Sequence, residues 1–196
     1  IGMWQSLGSF LGLVMGKSRT DSIPVDVYIQ FVRSLFDNVH MVLIGAMCHA
    51  VIALMVFWRN GEPVFGWLAA ILLGVGIWRY AGMLKFRRSG VIDDAESARR
   101  WEREYIIKGS VQGLALGFFC FVAIYIYSDG YAEIGAVAVT LGSIVTVVGQ
   151  NYGSPRMVMV FAVTFVAPIA VALILHGDIP YVVLGLLIFP FMFIIK

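Results

Sequence analysis

From Met41 to Ile195 the chain is a succession of apolar runs joined by short polar segments, and its only long interruption is the charged stretch between Lys85 and Lys108. An α-helix needs about 20 mainly apolar residues to cross roughly 30 Å of hydrocarbon, because each residue rises 1.5 Å and every backbone amide must be bonded within the segment. Six runs have that character and predict spans over Val39–Trp58, Val64–Leu84, Ile106–Tyr127, Tyr131–Gln150, Met157–Leu175 and Ile179–Ile195. Ahead of them, Val25, Tyr28, Ile29, Val32, Leu35, Phe36 and Val39 recur at helical spacing after Pro24, with Asp26, Arg33 and Asp37 on other faces. That pattern predicts an amphipathic helix lying on the membrane surface and feeding the first span. Trp4, Leu7, Phe10, Leu11, Val14 and Met15 suggest a second interfacial segment, interrupted by Gly8, Gly12 and Gly16. No charged residue precedes Leu7–Met15, so this run does not read as a cleavable signal. The expected fold is all-α and polytopic: an interfacial segment over 1–38, then a six-helix transmembrane bundle over 39–196 with a charged loop and helix extension at 85–105.

Composition narrows the class further. Hydrophobic residues make up 60%, charged residues 13%, and mean hydropathy is +0.89, whereas soluble domains are about a quarter charged. Charge placement predicts orientation, since basic residues are retained on the cytoplasmic side. Lys17, Arg19 and Arg33 precede the first span, eight basic residues run from Arg79 through Lys108, Arg156 precedes the fifth span and Lys196 closes the chain. The opposite loops hold Arg59 with Glu62, Asp129, Glu133 and Asp178, so both ends are expected inside the cell. The net charge of +2 then reflects asymmetry between leaflets and gives no reason to expect nucleic acid as a partner.

Within the charged stretch, Ser89-Gly90 reads as a helix stop, and Asp93 with Glu96 has the spacing of a capping box for the next helix. The third span is therefore expected to begin well before Ile106, with Arg100 and Glu104 placed as an i,i+4 ion pair. These charges read either as a solvated face or as a docking surface for a cytoplasmic partner. Small residues recur every four positions at Gly109, Gly113 and Gly117, and again at Gly66, Ala70 and Gly74. Such stripes allow close helix approach, within one bundle or across a homodimer. Pro168 and Pro190 are expected to kink their spans and free carbonyls for neighbouring helices.

Candidate chemistry is sparse. His49 is the ionisable residue nearest a span centre, a default functional hypothesis whose bland alternative is a neutral imidazole bonded to the next helix. Haem ligation would need a second histidine at matching depth, and His40 and His176 fall at opposite helix ends, so no cofactor is expected. Gln112, Thr140, Ser143, Thr146 and Gln150 could line a polar crevice or act as interhelical glue. His176, Asp178, Asp129 and Glu133 could form a proton or cation sensor; the alternative is a turn and helix start at Gly177-Asp178 before Pro180. Cys48 and Cys120 lie inside predicted spans without a CxxC partner and read as small core residues rather than a metal site. No nucleophile–base pair, HExxH or Walker loop occurs and no acidic residue occupies a span centre, so neither catalysis nor transport by these residues is expected.

The run Arg100-Trp101-Glu102-Arg103-Glu104-Tyr105, the turn Gln150-Asn151-Tyr152-Gly153-Ser154-Pro155 and the turn His176-Gly177-Asp178 with Tyr181, set in a six-span layout, resemble the N-terminal membrane region of bacterial GGDEF and GGDEF–EAL proteins. The resemblance covers roughly Phe31 to Lys196; such relatives often carry Arg where this chain has Gln150. It implies a sensory or dimerising input module in the bacterial inner membrane, with the sixth helix leading to a cyclic di-GMP synthase or phosphodiesterase outside this chain; Pro190 and the Pro168 kink are then expected to place flexible points along that route. Neither a GGDEF nor an EAL motif is present here. The competing readings are an accessory subunit of a larger membrane complex and a small transporter or channel.

Overall fold

The computed structural model describes residues 24–89, 92–151 and 154–194. The predicted Trp4–Met15 segment, the Gly90 helix stop, the Tyr152-Gly153 part of the turn and Lys196 lie outside the described residues. The elements in order are α1 (Val25–Ser34), α2 (Val39–Asn60), α3 (Pro63–Ser89), α4 (Ala95–Phe121) running directly into a π-helical segment (Val122–Tyr127), α5 (Gly130–Asn151), α6 (Pro155–His176) and α7 (Ile179–Ile194). Five of these, α2, α3, α4 with its π segment, α5 and α6, are long and apolar enough to cross a membrane. The sixth predicted span, α7, is described over 16 residues, Ile179–Ile194.

The joints follow from identifiable residues. Gly61 ends α2 at φ 72°, a left-handed conformation that costs glycine little, and its N–H donates to Phe57 O at 2.7 Å. Gly177 ends α6 in the same way at φ 89°. Ser128 takes the left-handed conformation without being glycine (φ 47°), and its hydroxyl donates to Ile124 O at 3.0 Å beside the π segment. Asp129 then caps α5 by accepting the Ala132 N–H at 2.9 Å, a bond that holds its carboxyl below the ordinary range. At α4 the cap is Asp94, which accepts the Ser97 hydroxyl and, at 2.9 Å, the Ser97 N–H, and these two bonds in that order hold its carboxyl low. This corrects the expected Asp93–Glu96 capping box by one residue: the side chain that reaches the free amides is the one immediately before Ala95. The i,i+4 pair also differs, since Glu104 turns forward to Lys108 at 2.5 Å, and no Arg100–Glu104 ion pair forms among the described residues.

Helix α4 is the axis of the bundle. It packs against α1, α3, α5 and α6, while α2 pairs with α3 and with α5, and α7 lies on α6. Its glycines explain the closeness of the α4–α6 seam. A Cβ added at Gly109 would collide with the Phe161 ring, one at Gly113 would lie 2.7 Å from both Phe165 and Thr164, and one at Gly117 would lie 2.9 Å from the Phe165 carbonyl and 2.7 Å from Pro168. The Gly66, Ala70 and Gly74 stripe of α3 is placed otherwise: Gly66 meets only Phe57, at 3.8 Å, nothing approaches Gly74, and Ala70 is exposed. Close approach on α3 comes instead from Gly76 against Ala46 of α2.

Helix α1 does not lie free on a lipid surface with its whole apolar face. Tyr28, Val32, Leu35 and Phe36 are buried, and they dock on the charged extension of α4. Tyr28 donates its hydroxyl to Glu102, Arg33 donates to Ile92 O at 3.1 Å, and Phe36 stacks on Phe86 at 4.0 Å with Trp101 and Tyr105 edge-on. Burial, with the Glu102 carboxylate second, pushes the Tyr28 hydroxyl above its ordinary range. The extension thus serves as an internal docking surface, while Arg99, Arg100 and Arg103 remain exposed.

Candidate functional site

Where α2 and α5 stand apart, a groove of about 550 Å³ opens between them, floored by side chains from α3, α4 and α6. Its mouth, at the end of the bundle where basic residues gather, carries Asn38 and Gln150. Apolar walls come from Met41, Val42, Ile44, Val139, Val147 and Phe165. The polar floor is His49 from α2, Arg79 from α3, Gln112 from α4 and Ser143 from α5.

A directed hydrogen-bond chain joins three of these. The Gln112 amide nitrogen donates to His49 Nδ1 at 3.2 Å, so the imidazole proton sits on Nε2 and faces Ser143 Oγ at 2.7 Å. Ser143 donates its hydroxyl to the Val139 carbonyl of the preceding turn at 2.9 Å. The chain ties three helices together through the His49 ring. It leaves Gln112 Oε1 buried without a partner.

Arg79 completes the floor and is only 7% exposed. Its Nη2 donates to the Tyr105 hydroxyl at 3.3 Å and its guanidinium lies 5.3 Å from the Tyr105 ring centroid. Nε has no partner, and among the described residues no carboxylate forms an ion pair with it. The count of basic residues groups Arg79 with the charges that follow it, although it lies within the predicted span Val64–Leu84. Tyr80, Met83, Leu84 and Phe86 nevertheless continue the apolar pattern past Gly82, with no proline before Ser89, which puts Arg79 about 15 Å inside its helix.

The remaining candidates separate. Thr146 and Gln150 line the groove, Thr146 with its hydroxyl bonded to Gly142 O at 2.8 Å. Thr140 faces elsewhere, fully buried, bonded to Ala136 O at 2.8 Å and 3.2 Å from Cys120 Sγ. Cys48 lies on the exposed rim of the groove. Pro168 sits in the α4–α6 seam against Gly117, and Pro190 lies in α7. At the opposite end of the bundle, His176 stacks on Tyr181 at 3.9 Å, Tyr181 donates to Glu133 at 2.9 Å, and Asp178 Oδ2 lies 3.4 Å from His176 Nδ1 without a hydrogen bond. Asp129 is drawn away from this cluster by its capping role. Asn151, fully buried with Oδ1 unpartnered, was not singled out from the sequence beyond its place in the turn.

Five apolar helices of membrane-crossing length around a partly polar interior define a multi-pass α-helical membrane protein. No protein-family model matches the chain, and neither the curated proteins nor the solved structures provide a match.

Proposed function

We propose that this chain is a membrane-embedded sensory input domain of the bacterial inner membrane, with α7 as a sixth span, both ends in the cytoplasm, and a homodimeric arrangement that controls a cyclic di-GMP synthase or phosphodiesterase. The observation that carries the sensory part is the groove, whose floor holds a buried guanidinium nitrogen and a buried amide oxygen with no partners. Unpaired buried polar groups are costly, so a ligand that satisfies them stabilises one arrangement of α2 and α5 over another. Only such differential affinity shifts a conformational equilibrium. The cyclic di-GMP output rests on the sequence resemblance alone. The exposed Ala70 and Gly74 of α3 support the dimer, and they equally suit the accessory-subunit reading.

Reading the coding sequence in frame beyond Lys196 separates the two. A GG[DE]EF run supports the input domain, and an immediate stop supports the accessory subunit. In the full-length protein, Pro190→Ala should alter the cyclic di-GMP response at least severalfold; an unchanged response removes the relay through α7. A reporter fused after residue 196 should be active in the cytoplasm, and periplasmic activity would overturn the orientation.

A further inference from the structure

We infer that the α2–α5 groove binds an anionic amphiphile whose head presents a phosphate oxyanion beside a hydroxyl. Each part of that chemistry answers a group on the floor. Arg79 offers a buried cationic donor without a carboxylate partner, and a guanidinium pairs best with a phosphate or carboxylate that accepts more than one N–H. Gln112 Oε1 is an acceptor, with the amide nitrogen already committed to His49, so it calls for a donor, which an alkyl phosphate monoester or a glycerol head group supplies and a carboxylate does not. His49 is held in its Nε2–H form with both ring nitrogens used, so it shapes the floor without competing for the anion.

The walls fit the rest of such a molecule. The volume of about 550 Å³ falls within the roughly 300–1,000 Å³ typical of small-molecule sites. Met41 and Ile44 on the α2 rim are more than half exposed, so an acyl chain can leave the groove sideways among membrane lipids instead of being enclosed. Asn38 and Gln150 at the mouth leave a polar route for the head from the basic end of the bundle. This inference deepens the input-domain reading, on which its signalling consequence rests; binding itself does not depend on that reading.

The test uses the full chain in a neutral detergent, with dodecyl phosphate and dioleoyl phosphatidylglycerol as probes, and dodecanol and dioleoyl phosphatidylcholine as controls. Affinity for at least one phosphate probe should exceed that for its control by tenfold or more. Binding confined to dodecyl phosphate assigns a single-chain monoester as ligand, and binding of the phosphatidylglycerol assigns a bulk membrane lipid. Arg79→Gln should erase the preference. Should that variant fail to fold, Gly142→Phe carries the test: nothing lies within 4 Å of a Cβ at Gly142, which lines the groove, so the ring has room to fill it and should weaken binding tenfold or more. Equal affinity for probes and controls, or undiminished binding by folded Gly142→Phe, overturns the inference. Phosphate-selective binding without any change of output in the full-length protein would discard the input-domain reading and leave the site standing.

Discussion

Helices α4 and α6 meet with glycine against ring at Gly109, Gly113 and Gly117, whereas α2 and α5 touch near Gly135 and Ile52 and part around a groove with a polar floor. The difference lies in what each helix places at the contact. On α4, three glycines four residues apart remove every Cβ that would hold α6 away, and Phe161, Phe165 and Pro168 fill the space so made. Along the groove, Gly142 on α5 meets no neighbouring atom, and the side chains that cross the gap are polar and directional. The seam is held by direct packing, and the groove is bridged by hydrogen bonds through His49.

The largest expected effect breaks the seam. Phe161→Ala removes a ring that is 2% exposed and should cost about 3–5 kcal/mol in thermal unfolding of the detergent-solubilised chain. Gly113→Leu should cost about 1–3 kcal/mol by overpacking against Phe165 and Thr164, while Gly142→Ala, with open space around it, should instead gain about 0.5–1 kcal/mol from helix propensity. Equal effects at the two glycines would erase the distinction between seam and gap. On the groove side, Gln112→Leu strips His49 Nδ1 of its donor and should cost about 1–3 kcal/mol; Ser143→Ala leaves the His49 Nε2–H without its acceptor and should cost a comparable amount.

The smallest effect concerns the helix starts. Hydrogen bonds from Ser97, its hydroxyl first and its amide second, and from the Ala132 amide hold the carboxyls of Asp94 and Asp129 below the ordinary 3.8. A depressed carboxyl pKa contributes stability that is present above the unfolded value and lost as pH falls through the folded one. The Ser97 and Ala132 amide resonances should therefore hold steady on acidification to about pH 4 and move only below it, as the carboxylates take up protons. Movement above that pH would remove the capping assignment.

Much of this contrast was legible in the residues. The spacing of Gly109, Gly113 and Gly117 marks a close helix contact, and His49, Gln112, Ser143 and Thr146 stand out as polar groups within apolar runs. Which helices those groups join was not legible, because periodicity reports a face and not its partner. Thr140 shares the apparent stripe of Ser143 yet turns to Cys120, since the α-helical repeat of 3.6 residues carries positions three apart around the helix. Arg79 was lost by grouping it with the charges that follow, although the helix runs on to Ser89. The docking of α1 on the α4 extension joins residues as distant as Tyr28 and Glu102. The π segment at Val122–Tyr127 has no composition that distinguishes it from the helix before it.

The central claim, that the seam holds while the gap responds, is tested most directly by spin-label distance measurements. In a chain with Cys48→Ser and Cys120→Ala, one pair of labels at Val51 and Leu141 spans the α2–α5 side, and another at Leu114 and Val171 spans the α4–α6 side, all four positions being roughly half exposed. Saturating dodecyl phosphate should narrow or shift the first distance distribution and leave the second unchanged. A shift of equal size in both pairs, or in neither, would contradict the account.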